Sequence, residues 1–138
     1  MIVLDTNVIS ALMRAAADAA AREWLDHQAG TEIWTTAINV FELRAGIEML
    51  PAGRRRQRLD ETLKAVLTED LEGRVLPFDS PAAEAAGYLL AQKRRAGRQI
   101  EWRDTQIAGI VIASKARLAT FNLRHFADIE IELIDPRR

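Results

Sequence analysis

Asp5 is an acid at a position where chemistry is expected. It directly follows the apolar run Ile2–Leu4, which predicts a short buried strand of a parallel sheet. Ligands of open parallel sheets bind beyond the carboxyl ends of the strands, so Asp5 lies at the expected active-site edge. Asp5 or Thr6 could instead only cap the helix that follows, because both residue types accept hydrogen bonds from free helix N–H groups.

Glu42 lies inside a helix predicted over residues 37–50, where no capping role is open to it. At about 100° per residue, it shares a face with apolar or small residues, namely Ile38, Asn39, Ala45 and Gly46. Glu42 is therefore predicted to face the packed side of its helix. A carboxylate there needs a partner, and both a metal cation and an arginine would serve.

Asp104 opens a helix predicted over residues 104–116, which is apolar nearly all round and so is expected in the middle of the domain. The acid shares the face of Ile107, Ala108 and Val111, three, four and seven positions further on. An N-cap role for Asp104 is the alternative. Capping and metal binding can coexist, since a carboxylate has two oxygens.

Asn122 follows a further predicted strand, residues 118–121, with Thr120 two residues before it and His125 three after. The Asn carbonyl can hold a water or a metal ion, although Asn is equally typical of turns and helix caps. A structural role is expected for His125. The chain has two histidines and no cysteine, which excludes a His-rich or thiolate metal site.

Two aspartates and one glutamate, from three separate segments, are thus predicted to meet at one edge of the sheet. Carboxylate oxygens with water in the remaining positions suit Mg²⁺ or Mn²⁺. Such sites act mainly on phosphate-bearing substrates, where the ion polarises the phosphoryl group and activates water. Three negative charges could hold one ion or two.

The remaining elements alternate between strands and helices. Helices are predicted over residues 8–14, 15–28, 54–71, 80–96 and 122–126, and strands over 32–36, 74–78 and 130–134. Ser80 is predicted to cap its helix, with Pro81 at the first helical position. This order predicts an α/β fold, a three-layer α/β/α sandwich with a mainly parallel central sheet.

Composition narrows the class of protein. The 138 residues are 49% apolar and 28% charged, which predicts one globular domain over residues 1–138. The N-terminal apolar run is too short for a signal peptide, and the run 107–113 falls far short of the about 20 residues that cross a bilayer. We therefore expect a cytoplasmic protein without a membrane span.

The net charge of -1 argues against a constitutive nucleic-acid binder. Two basic clusters stand out nevertheless: Arg54, Arg55, Arg56 and Arg58, and Lys93, Arg94, Arg95 and Arg98. Each could be a solvated helix face. The first cluster lies in the opening turn of a helix, where cations oppose the helix dipole, and could instead contact phosphate.

Four blocks of this chain resemble, in order, those of the PIN-domain ribonucleases, in particular the VapC and FitB toxins of bacterial toxin-antitoxin pairs. They are MIVLDTNVISALMR, INVFELRAGI, RDTQIAGIVIA and LATFNLRHFADI, and the similarity runs over essentially the whole chain. The resemblance implies a Mg²⁺- or Mn²⁺-dependent endoribonuclease. Asp5, Glu42 and Asp104 would be its metal-binding acids and Asn122 the fourth catalytic position, supported by Thr6 and Thr120.

The same resemblance implies partners. They are an RNA substrate, a cognate DNA-binding antitoxin whose tail blocks the acidic pocket, and a second copy of the toxin in a homodimer or larger toxin-antitoxin assembly.

The chain departs from the family pattern at two places. Many members carry an aspartate where this chain has Asn122, which makes a catalytically weak interaction module, acting through the antitoxin, the alternative function. Trp102 and Arg103 stand before Asp104 where small residues or proline are more usual, and Trp102 could stack on a base or pack against the lip of the groove.

A phosphatase that uses Asp5 as its nucleophile is a third possible function. It is disfavoured, because that chemistry normally needs a second acid two residues later, and position 7 is Asn.

Overall fold

The strands of this protein form one parallel sheet. In the computed structural model, which describes residues 1–14 and 18–138, the strands are β1 (Ile2–Leu4), β2 (Ile33–Thr36), β3 (Val75–Leu76), β4 (Arg117–Ala119) and β5 (Leu133–Ile134). They pair in the order β3-β2-β1-β4-β5, and each pairing is parallel. The predicted parallel sheet is confirmed, and its strand order is new information.

Helices cover both faces of the sheet. Those of the described residues are α1 (Thr6–Met13), α2 (Ala19–Asp26), α3 (Ala37–Glu48), α4 (Arg54–Ala65), α5 (Ser80–Arg95), α6 (Trp102–Ala113) and α7 (Leu123–Phe126). Ile2 and Leu4 of β1 pack with α1 to α4 on one face, while Val3 packs with α5 to α7 on the other. The predicted three-layer α/β/α sandwich is confirmed.

Some predicted elements differ in detail from the structure. The helix predicted over 54–71 is α-helical over Arg54–Ala65, and its last turn, Val66–Asp70, is π-helical, with Leu71 N donating to Val66 O at 2.9 Å. The strand predicted over 74–78 is cut to Val75–Leu76, because Pro77 has no N–H to offer a neighbouring strand.

Helix starts also differ from the prediction. Asp79, not Ser80, caps α5, since its side chain accepts from Ala82 N. The helix predicted over 15–28 is described from Ala19 to Asp26, and residues 15–17 of that prediction lie outside the described residues. In the part of the chain that the structure covers, no helix combines the length and apolarity needed to cross a bilayer.

The strand order creates the crevice in which the candidate residues lie. From the central strand β1 the chain moves outward to β2 and β3, then returns to the other side of β1 at β4. Such a reversal is where open α/β sheets bind ligands. Asp5 N donates to Ala119 O at 2.9 Å, so the residues that follow β1 and β4 emerge side by side at this point.

Candidate active site

Asp5 is the buried centre of the site, with 6% of its surface exposed. Its Oδ1 accepts from Thr6 N at 2.8 Å and from Asn39 Nδ2 at 3.1 Å, and its Oδ2 accepts from the Thr120 hydroxyl at 2.7 Å. Asp5 is also the N-cap of α1, so the capping prediction and the placement at the sheet edge both hold. A carboxylate has about four acceptor positions, and the one that remains lies on Oδ2.

Asn39 is a site residue that the sequence analysis missed. It is fully buried and donates from Nδ2 to both Asp5 Oδ1 and, at 2.9 Å, the Thr6 hydroxyl. Its own Oδ1 accepts from the Thr36 hydroxyl at 2.6 Å. The signal was present, because a Thr N-cap followed three residues later by an amide resembles a capping box. Asn39 orients Asp5 and Thr6 together.

Glu42 projects from α3 toward the same cavity, with 21% of its side chain exposed. The Thr6 hydroxyl donates to its Oε1 at 3.3 Å, and Arg103 Nη1 lies 3.5 Å from its Oε2. Burial raises the pKa of Glu42, the Arg103 charge lowers it, and the charge of Asp5 raises it further. Of the two partners that the sequence offered for Glu42, the structure shows the arginine, although the Arg103 pair is weak because that side chain is 53% exposed.

Asp104 is the third residue of α6, which begins at Trp102. The N-cap alternative is therefore wrong, since Glu101 occupies that position and makes no side-chain cap bond. Asp104 Oδ2 lies 3.2 Å from His125 Nδ1. Burial raises the pKa of Asp104, His125 lowers it, and Asp5 and Glu101 raise it.

The remaining predicted residues lie at the end of β4. Thr120 is fully buried behind Asp5, whereas Asn122 is exposed and lines the cavity. The two are joined by a hydrogen bond, in which Asn122 N donates to Thr120 Oγ1 at 3.0 Å. Asn122 is at the N-cap of α7, yet its side chain makes no cap bond there. His125, expected to be structural, lines the cavity and contacts Asp104.

One cavity of about 410 Å³ joins these groups, which we call the acid cavity. Asp5, Glu42, Asp104 and Asn122 line it together with Thr6. Three basic side chains share the wall with them, namely Arg14, Arg103 and His125, and so does a further acid, Glu101. The structure thus brings together all the predicted acids.

The donor set of the acid cavity suits a hard divalent cation, because it consists of carboxylate oxygens. Asp5 raises the pKa of both Glu42 and Asp104, which shows that the three negative charges act on one another. Across residues 1–14 and 18–138, however, no three His, Asp or Glu side chains form a ready-made coordination group. Glu42 and Asp104 each direct one oxygen at Arg103 or His125, so an ion would compete with these side chains for the carboxylates.

A family model described as PIN domain matches residues 2–132. This chain belongs to the PIN domain family. Among curated relatives, this PIN domain is 39% identical to VapC ribonuclease Y4jK of Sinorhizobium fredii, covering 99% of this chain and 97% of the relative. It is 31% identical to Toxin FitB of Neisseria gonorrhoeae, covering 99% and 98%. The resemblance to VapC and FitB proteins is confirmed.

Solved structures show the same fold. The crystal structure of FitAcB from Neisseria gonorrhoeae matches this PIN domain with a TM-score of 0.89 and 31% identity, over 99% of this chain and 98% of that chain. VapBC2 from Rickettsia felis, bound to a DNA fragment from its promoter, matches with a TM-score of 0.78 and 23% identity, over 97% and 98%. This second likeness concerns the fold alone.

Proposed function

We propose that this PIN domain is a divalent-metal-dependent endoribonuclease that acts in the cytoplasm as the toxin of a toxin-antitoxin pair. The observation that carries the proposal is the convergence of Asp5, Glu42 and Asp104 on one cavity at the switch point of a parallel sheet. The relatives named VapC ribonuclease and Toxin FitB support the substrate class and the biological role.

Asp5, Glu42 and Asp104 would hold Mg²⁺ or Mn²⁺. A bound divalent ion would polarise the phosphoryl group and activate a water for attack on it. Asn39 and Thr120 keep the Asp5 carboxylate in one orientation through their hydrogen bonds.

Other groups of the cavity wall would act on the substrate. The exposed Asn122 amide can position a water or a phosphate oxygen at the open side. Arg14 and Arg103 supply positive charge for the phosphate backbone at the rim of a protein whose net charge is slightly negative.

The second part of the proposal is a cognate DNA-binding antitoxin. The FitAB and VapBC relatives were solved as complexes, in three cases with DNA. In this chain a groove of about 310 Å³ adjoins the acid cavity and shares Thr6, Ser10, Arg14 and Glu42 with it. Its other walls include Leu43, Ile47 and Leu50, so an antitoxin segment with apolar side chains could bind there and cover the acids.

The third part is self-association into a homodimer or a larger toxin-antitoxin assembly. Large apolar side chains are exposed on several helices, among them Phe41 (63%) and Tyr88 (79%). Exposed aromatic groups of this size are typical of protein-protein contacts.

A catalytically weak interaction module is the alternative function. Asn122 brings no charge to the site, and Glu42 and Asp104 already have Arg103 and His125 as partners. A protein of this kind would bind the antitoxin without cleaving RNA.

Cleavage of structured RNA by the purified protein, with Mg²⁺ or Mn²⁺ added, separates the two functions. We expect cleavage that falls roughly a hundredfold or more in Asp5→Asn, because a metal ligand contributes several kcal/mol to the rate. Asp26→Asn removes an exposed carboxylate on α2 and should retain full activity. No cleavage under either metal would overturn the nuclease and favour the interaction module.

A further inference from the structure

Trp102 is a large aromatic side chain that the fold leaves mostly exposed. It is the first residue of α6, and 59% of its surface faces solvent. The Arg94 guanidinium, in the last turn of α5, lies 5.7 Å from the centre of the indole ring. A large aromatic side chain that contacts a cation and is more than half exposed is suited to stacking rather than to core packing.

A hollow of about 650 Å³ lies beside this ring, and we call it the Trp102 groove. Its walls are Arg94, Arg98, Gln99, Ile100, Glu101 and Trp102. Arg98 is paired with Asp128, and Glu101 is the one acid among the walls. The groove is therefore polar, with two guanidinium groups and an indole ring among its walls.

The Trp102 groove adjoins the acid cavity. Glu101 lines both, and it directly precedes Trp102 in the chain. A strand whose scissile phosphate sits among the acids would have its next nucleotides beside Trp102.

We infer that Trp102 and Arg94 form a base-stacking subsite for single-stranded RNA next to the cleaved phosphate, an inference that rests on the proposed ribonuclease function. Sequence-tolerant binding of single strands combines aromatic rings on which bases stack with cations along the backbone. The Trp102 groove offers both on one side of the acid cavity. Trp102 acts in positioning the substrate and takes no part in the reaction.

Fluorescence measures the subsite directly. The inactive Asp5→Asn protein is titrated with single-stranded oligoadenylate, whose bases quench a stacked indole. Trp24 and Trp34 are partly buried, so quenching should arise from Trp102 and disappear in Trp102→Phe. We expect Trp102→Ala and Arg94→Ala to weaken binding of the oligonucleotide about tenfold and Trp102→Phe to weaken it less.

Two controls match these changes. Met49→Ala removes another exposed large side chain, and Arg95→Ala removes a neighbouring exposed arginine that does not line the groove. Both should bind the oligonucleotide as the parent does. In the active protein, Trp102→Ala should raise KM for long single-stranded RNA about tenfold and leave kcat within about twofold.

The possible outcomes separate the subsite from the nuclease. Cleavage that needs Asp5 but is indifferent to Trp102→Ala would overturn the subsite and keep the nuclease. Oligonucleotide binding through Trp102 without cleavage would keep the subsite and overturn the nuclease. Loss of antitoxin binding, with RNA binding unchanged, would show that Trp102 contacts a protein and would overturn the inference.

Discussion

At the scale of single residues, the three acids differ in how firmly they are held. Asp5 accepts hydrogen bonds from a backbone N–H, an amide and a hydroxyl. Glu42 and Asp104 instead contact the half-exposed side chains of Arg103 and His125. Asp5 is thus the oriented acid, and the other two can move to meet a ligand.

The buried amide of Asn39 should be important for stability. Asn39→Ala removes the donors to Asp5 and Thr6 and leaves the Thr36 hydroxyl without its acceptor. We expect the free energy of unfolding to fall by about 2–3 kcal/mol, as for other buried polar groups that lose their partners. Urea denaturation measures this change in the free energy of unfolding. Asn122→Ala is the matched control, since Asn122 is exposed and should change stability by less than about 0.5 kcal/mol.

The charge of Asp104 should destabilise the metal-free protein at neutral pH. Burial holds the pKa of Asp104 above its ordinary value of 3.8, so the folded state retains the proton to higher pH than the unfolded state does. Stability therefore falls as pH rises from about 4 through the raised pKa. Asp104→Asn should abolish this fall and be more stable than the parent at pH 7, by about 1 kcal/mol.

Thermal unfolding without divalent ions, at several pH values, measures this difference. Near pH 3 the two proteins should converge, because Asp104 is then protonated in both states. Asp60→Asn is a control for which the change in stability should have the opposite sign. Hydrogen bonds from Arg44 and Lys64 lower the pKa of Asp60, so Asp60→Asn should be less stable than the parent at pH 7. A parent that is more stable than Asp104→Asn at pH 7 would contradict the prediction.

The acids were predictable from the sequence because each breaks a local pattern. Asp5 ends an apolar run, and Glu42 and Asp104 lie on apolar helix faces. Asn39 lies on the same helix face as Glu42. Because its side chain is small and uncharged, it does not stand out there as an acid does. The contacts of Arg103 with Glu42 and of His125 with Asp104 depend on how the side chains are placed in the folded protein. Hydrophobic periodicity carries no information on that placement.

At the scale of elements, α5 and α6 are the most tightly packed pair near the site. A Cβ at Gly109 would overlap the carbonyl oxygen of Ala82 and lie 2.8 Å from the Cβ of Ala86. Glycine at this point lets α6 approach α5 closely. The approach holds α6, and Asp104 on its first turn, against the sheet.

Gly109→Ala should therefore destabilise the fold by about 2–3 kcal/mol, since α5 would have to move away from α6. Gly87→Ala is the matched control in α5, because nothing lies within 4 Å of a Cβ there and the position is exposed. It should stabilise the protein by about 0.5–1 kcal/mol through lower backbone entropy of the unfolded chain. Urea denaturation of the two variants tests the contrast, and equal effects would contradict it.

The types of the elements were predicted well and their ends less so. Hydrophobic periodicity identifies a helix or a strand over its length, but an end depends on one or two groups. Pro77 shortens β3 by lacking an N–H, and Asp79 takes the cap that Ser80 was expected to make. The π-helical turn after Ala65 leaves both Leu63 and Leu71 buried, and periodicity alone does not reveal such a turn.

At the scale of the whole molecule, the strand order assembles the site. Asp5 leaves the central strand, Thr120 leaves its neighbour β4, and α3 and α6 bring Glu42 and Asp104 from opposite faces of the sheet. Local patterns predicted parallel strands but carried no information on their order. The acids come from distant parts of the chain, so the unfolded protein cannot hold them together.

A divalent ion that binds all three acids should therefore stabilise the folded state as a whole. At a Mg²⁺ or Mn²⁺ concentration about a hundred times Kd, the gain is about 2.7 kcal/mol, which raises Tm by about 10 °C for a chain of this size. Differential scanning calorimetry with and without the ion measures the shift. Glu42→Gln and Asp104→Asn should each reduce the shift, while Asp26→Asn, on the exposed side of α2, should leave it unchanged. A parent protein whose Tm is the same in EDTA and in millimolar Mn²⁺ would show that the mutual repulsion of these carboxylates is not relieved by a cation.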